Sequence, residues 1–218
     1  MLKPMETVVL VHGLWMHGWI MKPMGVRLER CGFHAEFFSY PSMRNSLSQN
    51  ARLLSRFVAS LPASRVHFIG HSLGGLLILQ MLSEFPDNRT GRVILAGTPY
   101  NTSHVAQKLS AVRPGRHILG RSMMQWLGQT PLICNGQYQL GLIAGSRSIG
   151  AGRLISRFAS ANDGVVTVKE TEVPGVTDRV VLDVTHSGML LSAELAREAC
   201  SFLRYGHFSD NCNNVGAK

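Results

Sequence analysis

The stretch of sequence that decides the fold is Val66-His67-Phe68-Ile69-Gly70-His71-Ser72-Leu73-Gly74-Gly75. Its apolar, β-branched start predicts a buried strand, and the leucine-rich segment 73–85 that follows predicts a helix. Between them lies the pattern G-x-S-x-G, which indicates a tight strand-to-helix turn with Ser72 at its apex. Gly70 and Gly74 lack the Cβ atoms that would crowd such a turn.

The rest of the chain repeats this succession of strand and helix. We expect strands at 7–11, 33–40, 66–69, 92–96, 140–144 and 180–184. We expect helices at 16–30, 46–61, 73–85 and 187–203, the first of them weakened or kinked by Pro23. The alternation predicts an α/β fold, with a parallel sheet, helices on both faces and right-handed crossovers. Functional sites in such sheets lie at the carboxyl ends of the strands.

Two parts of the chain do not fit this pattern. The stretch 100–138 mixes glycines with a short apolar segment, 117–127, and is predicted to be irregular. The residues after Gly206 are expected to be unfolded. We therefore expect a single domain over 1–206, followed by a flexible tail over 207–218.

The composition indicates a globular domain with a basic surface. The 218 residues are 45% hydrophobic and 16% charged, and the formal net charge is +9. The 22 lysines and arginines form no run of five or six and do not interleave with aromatic residues, so specific nucleic-acid recognition is not expected. The charge favours solubility and is compatible with weak association with anionic surfaces. The sequence does not indicate an oligomeric state.

The cysteines and the N-terminus bear on the cellular compartment. Cys31, Cys134, Cys200 and Cys212 are scattered without C-x-x-C spacing. This pattern argues against a zinc ribbon and a dense disulfide framework, but it leaves one bridge open. The apolar run near the N-terminus is too short for the core of a signal peptide or for a membrane span, so a cytoplasmic location is predicted.

Ser72 is the candidate nucleophile of an acyl-transfer reaction. In a strand-turn-helix setting its hydroxyl projects from the sheet, and the positive N-terminus of the next helix faces developing negative charge. One alternative is a serine that only caps the helix. Another is a phosphate-binding loop, but Leu76 and Leu77 stand where that loop needs Lys and Ser/Thr, so this alternative fails.

Acyl transfer also needs hydrogen-bond donors for the oxyanion, and the loop after the first strand is their expected source. That strand runs into His12-Gly13-Leu14-Trp15. The backbone N–H groups of Leu14 and of Leu73, the residue after the nucleophile, are the candidate donors of an oxyanion hole. The alternative interpretation of this loop is a plain glycine turn.

The base is expected to be a histidine, because only imidazole takes and returns a proton near neutral pH. His186 follows the last predicted strand, which leaves the chain order Ser, acid, His available. His67 and His71 lie four residues apart, but they straddle a strand and a turn and cannot form a helical metal pair. His12 and His71 are expected to pack beside the site.

The candidate acid is Asp163, in Asn162-Asp163-Gly164-Val165-Val166. It lies after the fifth predicted strand and before His186, the interval expected for a carboxylate that orients the imidazole. Asp-Gly before a β-branched run is also a turn signal, so a turn is the alternative. Asp178 and Asp183 are further candidates, although Asp183 lies inside a predicted strand.

With these elements in place, the chain resembles the compact esterases and lipases of the α/β-hydrolase superfamily, especially the EstA-type and PGAP1-like group. The resemblance covers about 8–203. It rests on His12-Gly13, Gly70-His71-Ser72-Leu73-Gly74-Gly75, Ala96-Gly97-Thr98-Pro99, Asn162-Asp163-Gly164-Val165-Val166 and His186-Ser187-Gly188. Because the Asp-Gly-Val-Val element recurs at the acid position in that group, the resemblance supports Asp163.

The resemblance implies a fold, a reaction and a substrate class. The implied fold is a mostly parallel six-stranded sheet that lacks the first two strands of the full fold and a cap domain. The implied reaction is hydrolysis of carboxyl esters, including lipid-like ones, through an acyl-enzyme on Ser72 and without a metal or organic cofactor. The alternatives are an acyltransferase or thioesterase with the same triad, and a non-catalytic binding protein of the same fold.

Apolar side chains near the donor loop and in the irregular stretch are candidates for an acyl pocket. They are Trp15, Met16, Trp19 and Met21 near the donor loop, with Met123, Met124, Trp126 and Leu127 in the irregular stretch. Soft methionine side chains suit acyl chains of varied length. Met and Trp at such spacings are also typical of a protein core, which is the alternative.

Overall fold

A parallel sheet lies at the centre of the molecule. The computed structural model describes residues 6–129, 138–149 and 160–209. Within these ranges the strands are β1 (Thr7–Val11), β2 (His34–Phe38), β3 (Val66–His71), β4 (Thr90–Ala96), β5 (Leu140–Gly145) and β6 (Asp178–Leu182). They pair in the order β2-β1-β3-β4-β5-β6, and every pairing is parallel. The predicted six-stranded parallel sheet is confirmed.

Helices cover both faces of the sheet, as predicted. They are α1 (Lys22–Arg30), α2 (Leu47–Ser60), α3 (Leu73–Glu84), α4 (His104–Ser110), α5 (Arg113–Leu127) and α6 (Ala193–Tyr205). Helices α2, α3 and α5 pack on one face, against side chains that include Val9 and Phe68. Helices α1 and α6 pack on the other face, against Val8 and Leu10. Alternate side chains of β1 therefore enter two different cores, which explains its continuous apolar sequence.

Caps and proline positions determine where the helices begin. Ser46 caps α2 in a capping box: its hydroxyl accepts from the Gln49 N–H, and the Gln49 side chain accepts from the Ser46 N–H. Pro23 lies in the first turn of α1, where a missing N–H is tolerated. The helix predicted over 16–30 is therefore not kinked; it divides into a 3₁₀ turn, Gly18–Met21, and α1.

The last strand and the last helix also differ from the prediction in their bounds. Strand β6 lies two residues earlier in the chain than 180–184. The segment predicted as one helix over 187–203 divides into a 3₁₀ turn, Gly188–Leu190, and α6. Ser192 separates the two because its hydroxyl accepts the N–H of Leu195 and so caps α6.

Two helices occupy much of the stretch predicted to be irregular. Helices α4 and α5 lie within 100–138 and pack against each other. Helix α5 bends at Gly120, whose φ is 67° and where an added Cβ would lie 2.7 Å from the Cα of Met43. These helices were not predicted because Pro114 and the glycines have a low propensity for the interior of a helix. Pro114 instead lies in the first turn of α5.

The chain remains packed beyond the end of α6. Phe208 is buried and stacks on Phe202 with the ring centroids 5.0 Å apart. The N–H of Phe208 donates to the Asp178 carboxylate at 2.7 Å. Residues 207–209 thus differ from the flexible tail predicted for them, because an aromatic side chain returns to the core. Residues 210–218 lie outside the described residues.

A disulfide joins the first and last helices. Cys31, at the end of α1, is bonded to Cys200 in α6, with the Cα atoms 6.3 Å apart. The sequence left one bridge open but could not say which cysteines form it. Cys134 and Cys212 lie outside the described residues.

Candidate active site

Ser72 lies on a strained turn between β3 and α3. Its φ is 54° and its ψ is −123°, a conformation that costs energy for any residue with a Cβ. Hydrogen bonds fix the turn from both sides: the Ser72 N–H donates to the Ala96 carbonyl at 2.9 Å, and the Thr98 hydroxyl donates to the Ser72 carbonyl at 3.1 Å. The carboxyl ends of β3 and β4 thus position this residue together.

Two close backbone approaches require the glycines of the motif. An added Cβ on Gly70 would collide with the backbone of Gly75, across the turn. An added Cβ on Gly74 would collide with the carbonyl of Val11 and would lie 2.5 Å from that of His12. The start of α3 therefore lies directly against the end of β1, and any larger residue would separate Ser72 from the loop that begins at His12.

His186, which follows β6, and Asp163, which lies between β5 and β6, form a buried pair. The imidazole Nδ1 lies 2.7 Å from Oδ2 of the carboxylate, and the His186 N–H donates to the Asp163 carbonyl at 2.8 Å. Oδ1 of Asp163 accepts from the N–H groups of Val165 and Val166, at 3.0 and 2.7 Å. With both carboxylate oxygens occupied, Asp163 is held in one orientation, and Nδ1 of His186 is committed to it. Nε2 is the nitrogen left for chemistry.

The two further carboxylates considered from the sequence lie in other surroundings. Asp183 is exposed and pairs with Arg147 at 2.6 Å. Asp178 accepts from the backbone N–H groups of Arg179 and Phe208. The structure therefore brings Asp163, and neither of these two, to the His186 imidazole.

His71 supports the His186 loop from below. Its side chain is buried, and Nε2 lies 2.9 Å from the carbonyl of His186, to which it donates. The two rings lie 4.8 Å apart. Burial, reinforced by the nearby His186, lowers the pKa of His71 to about 3, so this imidazole is neutral near pH 7. His71 therefore packs beside the candidate site, as expected from the sequence.

His12 and Tyr40 support the loop after β1. The rings stack with their centroids 4.4 Å apart, and the Tyr40 hydroxyl donates to the His12 carbonyl at 2.9 Å. His12 Nδ1 lies 2.8 Å from the Gly13 carbonyl. Burial is the main cause that lowers the pKa of His12. These contacts fix the backbone just before Leu14, one of the two residues whose N–H groups were predicted to face an oxyanion.

An apolar cavity of about 280 Å³ opens beside these residues. It is lined by Gly13, Leu14, Ser72 and His186 at the sheet edge, with Val165 and Val166 nearby. Helices α4 and α5 supply a further wall, with the side chains Val105, Ala106, Leu109, Leu119 and Met123. The cavity thus brings the predicted nucleophile, the predicted base and the predicted donor loop to one space.

Some of the side chains predicted for an acyl pocket line the cavity, and others do not. Trp15 and Met16 line the cavity. Trp19 lies outside the lining of the cavity, and its side chain is exposed at the surface. Met124 and Trp126 pack against the core under α5, whereas Met123 faces the cavity. Neighbours on α5 differ in this way because successive residues of a helix point about 100° apart, and the phase of α5 could not be predicted from the sequence.

Sequence reasoning missed the wall contributed by α4 and the valines after Asp163. Val105, Ala106 and Leu109 are spaced as one face of a helix, a signal that the assignment of this stretch as irregular discarded. Val165 and Val166 were noted only as part of a motif. Within the described part of the chain, no group of three or more His, Cys, Asp or Glu residues is placed to bind a metal ion.

A serine on a strained strand-to-helix turn, at the carboxyl edge of a parallel sheet and beside a buried His–Asp pair, is the arrangement that defines the α/β-hydrolase class. Comparison with known families agrees. The chain belongs to the alpha/beta hydrolase family, whose model matches residues 8–184. No curated protein matches the chain.

Several solved structures share this fold. The mature lipase BlEst2 of Bacillus licheniformis is 20% identical with a TM-score of 0.67, over 86% of this chain and 88% of that one. The metagenomic carboxyl esterase MGS0156 is 22% identical with a TM-score of 0.63, over 83% and 64%. The carboxylesterase CesB of Bacillus subtilis is 15% identical with a TM-score of 0.58, over 94% and 85%. These likenesses show a common fold.

Proposed function

We propose that this protein is a serine hydrolase that cleaves carboxyl esters through an acyl-enzyme on Ser72. One observation carries the proposal: Ser72, on its strained turn, and His186, paired with buried Asp163, line the same apolar cavity. Membership of the alpha/beta hydrolase family and the fold shared with a lipase and two carboxylesterases support the same reaction.

The proposed reaction has two halves. His186 Nε2 removes the proton from the Ser72 hydroxyl as its oxygen attacks the ester carbonyl carbon, and the tetrahedral intermediate then expels the alcohol, which takes that proton. Water next attacks the acyl-enzyme with His186 again as base, which releases the carboxylic acid and restores Ser72. Asp163 keeps the imidazole oriented and stabilises its positive charge in both halves.

The oxyanion of each intermediate needs donors, and we assign the N–H groups of Leu14 and Leu73 to it. Leu73 is the first residue of α3, so its N–H has no partner within the helix and the positive end of the helix dipole adds to it. Leu14 lies on the loop braced by His12 and Tyr40, and it lines the cavity beside Ser72. Donors fixed before the reaction cost no reorganisation when charge develops.

The cavity favours esters with an apolar acyl group. Its walls are mainly aliphatic side chains of α4 and α5, and its volume of about 280 Å³ suits a short or medium acyl chain. Lipid-like esters with such a chain are therefore the substrate class that we propose.

The cellular compartment is a separate matter. No helix in the described ranges is long and apolar enough to cross a membrane. The cytoplasmic location predicted from the N-terminal sequence stays a prediction. The Cys31–Cys200 disulfide counts against it, because such bonds persist mainly in oxidising compartments.

Covalent labelling tests the mechanism directly. A fluorophosphonate probe should modify Ser72, identified by peptide mapping, and Ser72→Ala should abolish both the label and p-nitrophenyl butyrate hydrolysis, the latter by roughly 10³-fold or more. Ser187 lines the same cavity, so Ser187→Ala is the matched control and should keep the label. Labelling of a different serine, or an active Ser72→Ala protein, would refute the proposal.

A further inference from the structure

A basic groove lies between α1 and α6, on the face of the sheet that these two helices cover. Its volume is about 510 Å³. Four arginines line it: Arg27, Arg30, Arg197 and Arg204. The groove shares no lining residue with the cavity beside Ser72. A molecule bound here would therefore not compete with an ester for that cavity.

Most of the positive charge in the groove is uncompensated. Within the part of the chain that the structure describes, Arg27, Arg30 and Arg204 have no carboxylate within 4.0 Å. Arg197 differs, because it lies 3.8 Å from Glu194 and 3.4 Å from Glu198. Guanidinium groups that share one groove repel one another, and a bound anion relieves that repulsion.

Covalent and polar contacts fix the geometry of the groove. The Cys31–Cys200 disulfide joins the two helices that form its sides. Arg27 donates to the Pro23 carbonyl at 3.1 Å, and Arg204 donates to the Cys31 carbonyl. Each guanidinium has five N–H donors, so one backbone contact orients the group and leaves the others free for a ligand.

We propose that this groove is a binding site for a phosphate-bearing ligand. Arginine pairs with phosphate oxygens through two parallel hydrogen bonds, which lysine cannot do. Three uncompensated cations match an anion with more than one negative charge better than a simple carboxylate. Ala193, Ala196 and the exposed ring of Tyr205 add apolar surface beside the arginines, which suits the organic part of a phosphate ester.

Calorimetry tests the site with inorganic tripolyphosphate as the probe. One molecule should bind per chain, and the Arg30→Gln/Arg204→Gln protein should bind at least about tenfold more weakly. Arg52→Gln/Arg56→Gln removes the same charge from α2, on the opposite face of the sheet, and should retain the affinity. Circular dichroism checks that each variant is folded, and Arg27→Gln/Arg30→Gln replaces the first pair if that protein does not fold.

A second arm separates two sources of phosphate. Vesicles that contain phosphatidylglycerol should bind the protein through the same arginines if the natural ligand is a lipid headgroup, whereas binding of tripolyphosphate alone indicates a soluble ligand. Either result supports the site when only the groove variant loses binding to the probe. Absence of binding to both probes, or equal losses in the groove and α2 variants, overturns the proposal. Ester hydrolysis is not measured, so the result is independent of the reaction proposed for Ser72.

Discussion

His71 is a neutral imidazole enclosed directly beneath the candidate site. It is the residue before Ser72, and its Nε2 donates to the carbonyl of His186. This one side chain therefore connects the strand that carries the serine to the loop that carries the imidazole. Its Nδ1 has no hydrogen-bond partner among the described residues, so a second proton there would be buried without compensation.

Burial of neutral His71 predicts a stability that depends on pH. Its pKa is about 3 when folded, against an ordinary value of 6.5, so between these values the unfolded chain binds a proton that the native state does not. The stability from this group is present above pH 6.5 and is lost as pH falls, by about 2 kcal/mol between pH 6.5 and 4.5. Urea unfolding should show this loss in the wild type, whereas the free energy of unfolding of His71→Asn should change less between the same two pH values.

Two further measurements distinguish an effect of His71 from a general loss of stability. His117→Asn, which removes an exposed histidine of α5, should change the pH dependence little. NMR of the His71 ring should show a neutral imidazole at pH 5 in the wild type. A protonated ring at that pH would contradict the assignment even if the His71→Asn protein did not fold.

Individual site residues could be predicted where chain order and local sequence coincide. The glycines around Ser72 and the position of His186 after the last strand left few alternatives, and the structure brings Asp163 to that imidazole. Side-chain direction could not be predicted, because it depends on helix phase. For that reason the sequence could not separate Met123, which lines the cavity, from Met124, which does not.

The α4–α5 pair forms the wall of the cavity and is attached at two points to the loops below it. The Trp15 indole N–H donates to the Ile118 carbonyl at 2.8 Å, from a residue whose φ of 61° is strained. Glu170 accepts from the His104 N–H at 2.6 Å, at the start of α4. The donor loop and the segment after Asp163 are thus connected to the same pair of helices.

The wall residue Met123 should set the acyl chain that the cavity accepts. Met123→Ala removes side-chain volume from the cavity, so the ratio of kcat/KM for p-nitrophenyl octanoate over butyrate should rise by about tenfold. Met124→Ala is the matched control, since this neighbour packs against the core and does not line the cavity. Equal changes in the two variants would show that chain length is selected elsewhere.

At the scale of the whole molecule, the parallel sheet was easier to predict than the helices of 100–138 or the disulfide pairing. Continuous apolar strands such as β1 are typical of the centre of a parallel sheet, and the predicted sheet rests on that pattern together with the alternating helices. The helices of 100–138 were missed because proline and glycine obscured their period. The sequence left one disulfide open but could not assign it, because the pairing of four cysteines depends on where α1 and α6 meet, which only the folded chain determines.

Loss of the disulfide should lower the stability of the whole molecule. Cys31 and Cys200 are separated by 169 positions, and a bridge that closes so long a loop contributes about 2–4 kcal/mol, chiefly by restricting the unfolded chain. Calorimetry should place the Tm of Cys31→Ser/Cys200→Ser about 5–10 °C below that of the oxidised wild type. Dithiothreitol should lower the wild-type Tm to the same value and leave the variant unchanged. An unchanged Tm in the reduced wild type would contradict this contribution.

The same bond makes most of the polypeptide a closed covalent ring, from the end of the first helix to the last helix. A single protease cut at any position between the two cysteines opens that ring without releasing a fragment. The nicked molecule therefore migrates as one species on a denaturing gel until a thiol is added, and only then separates into two.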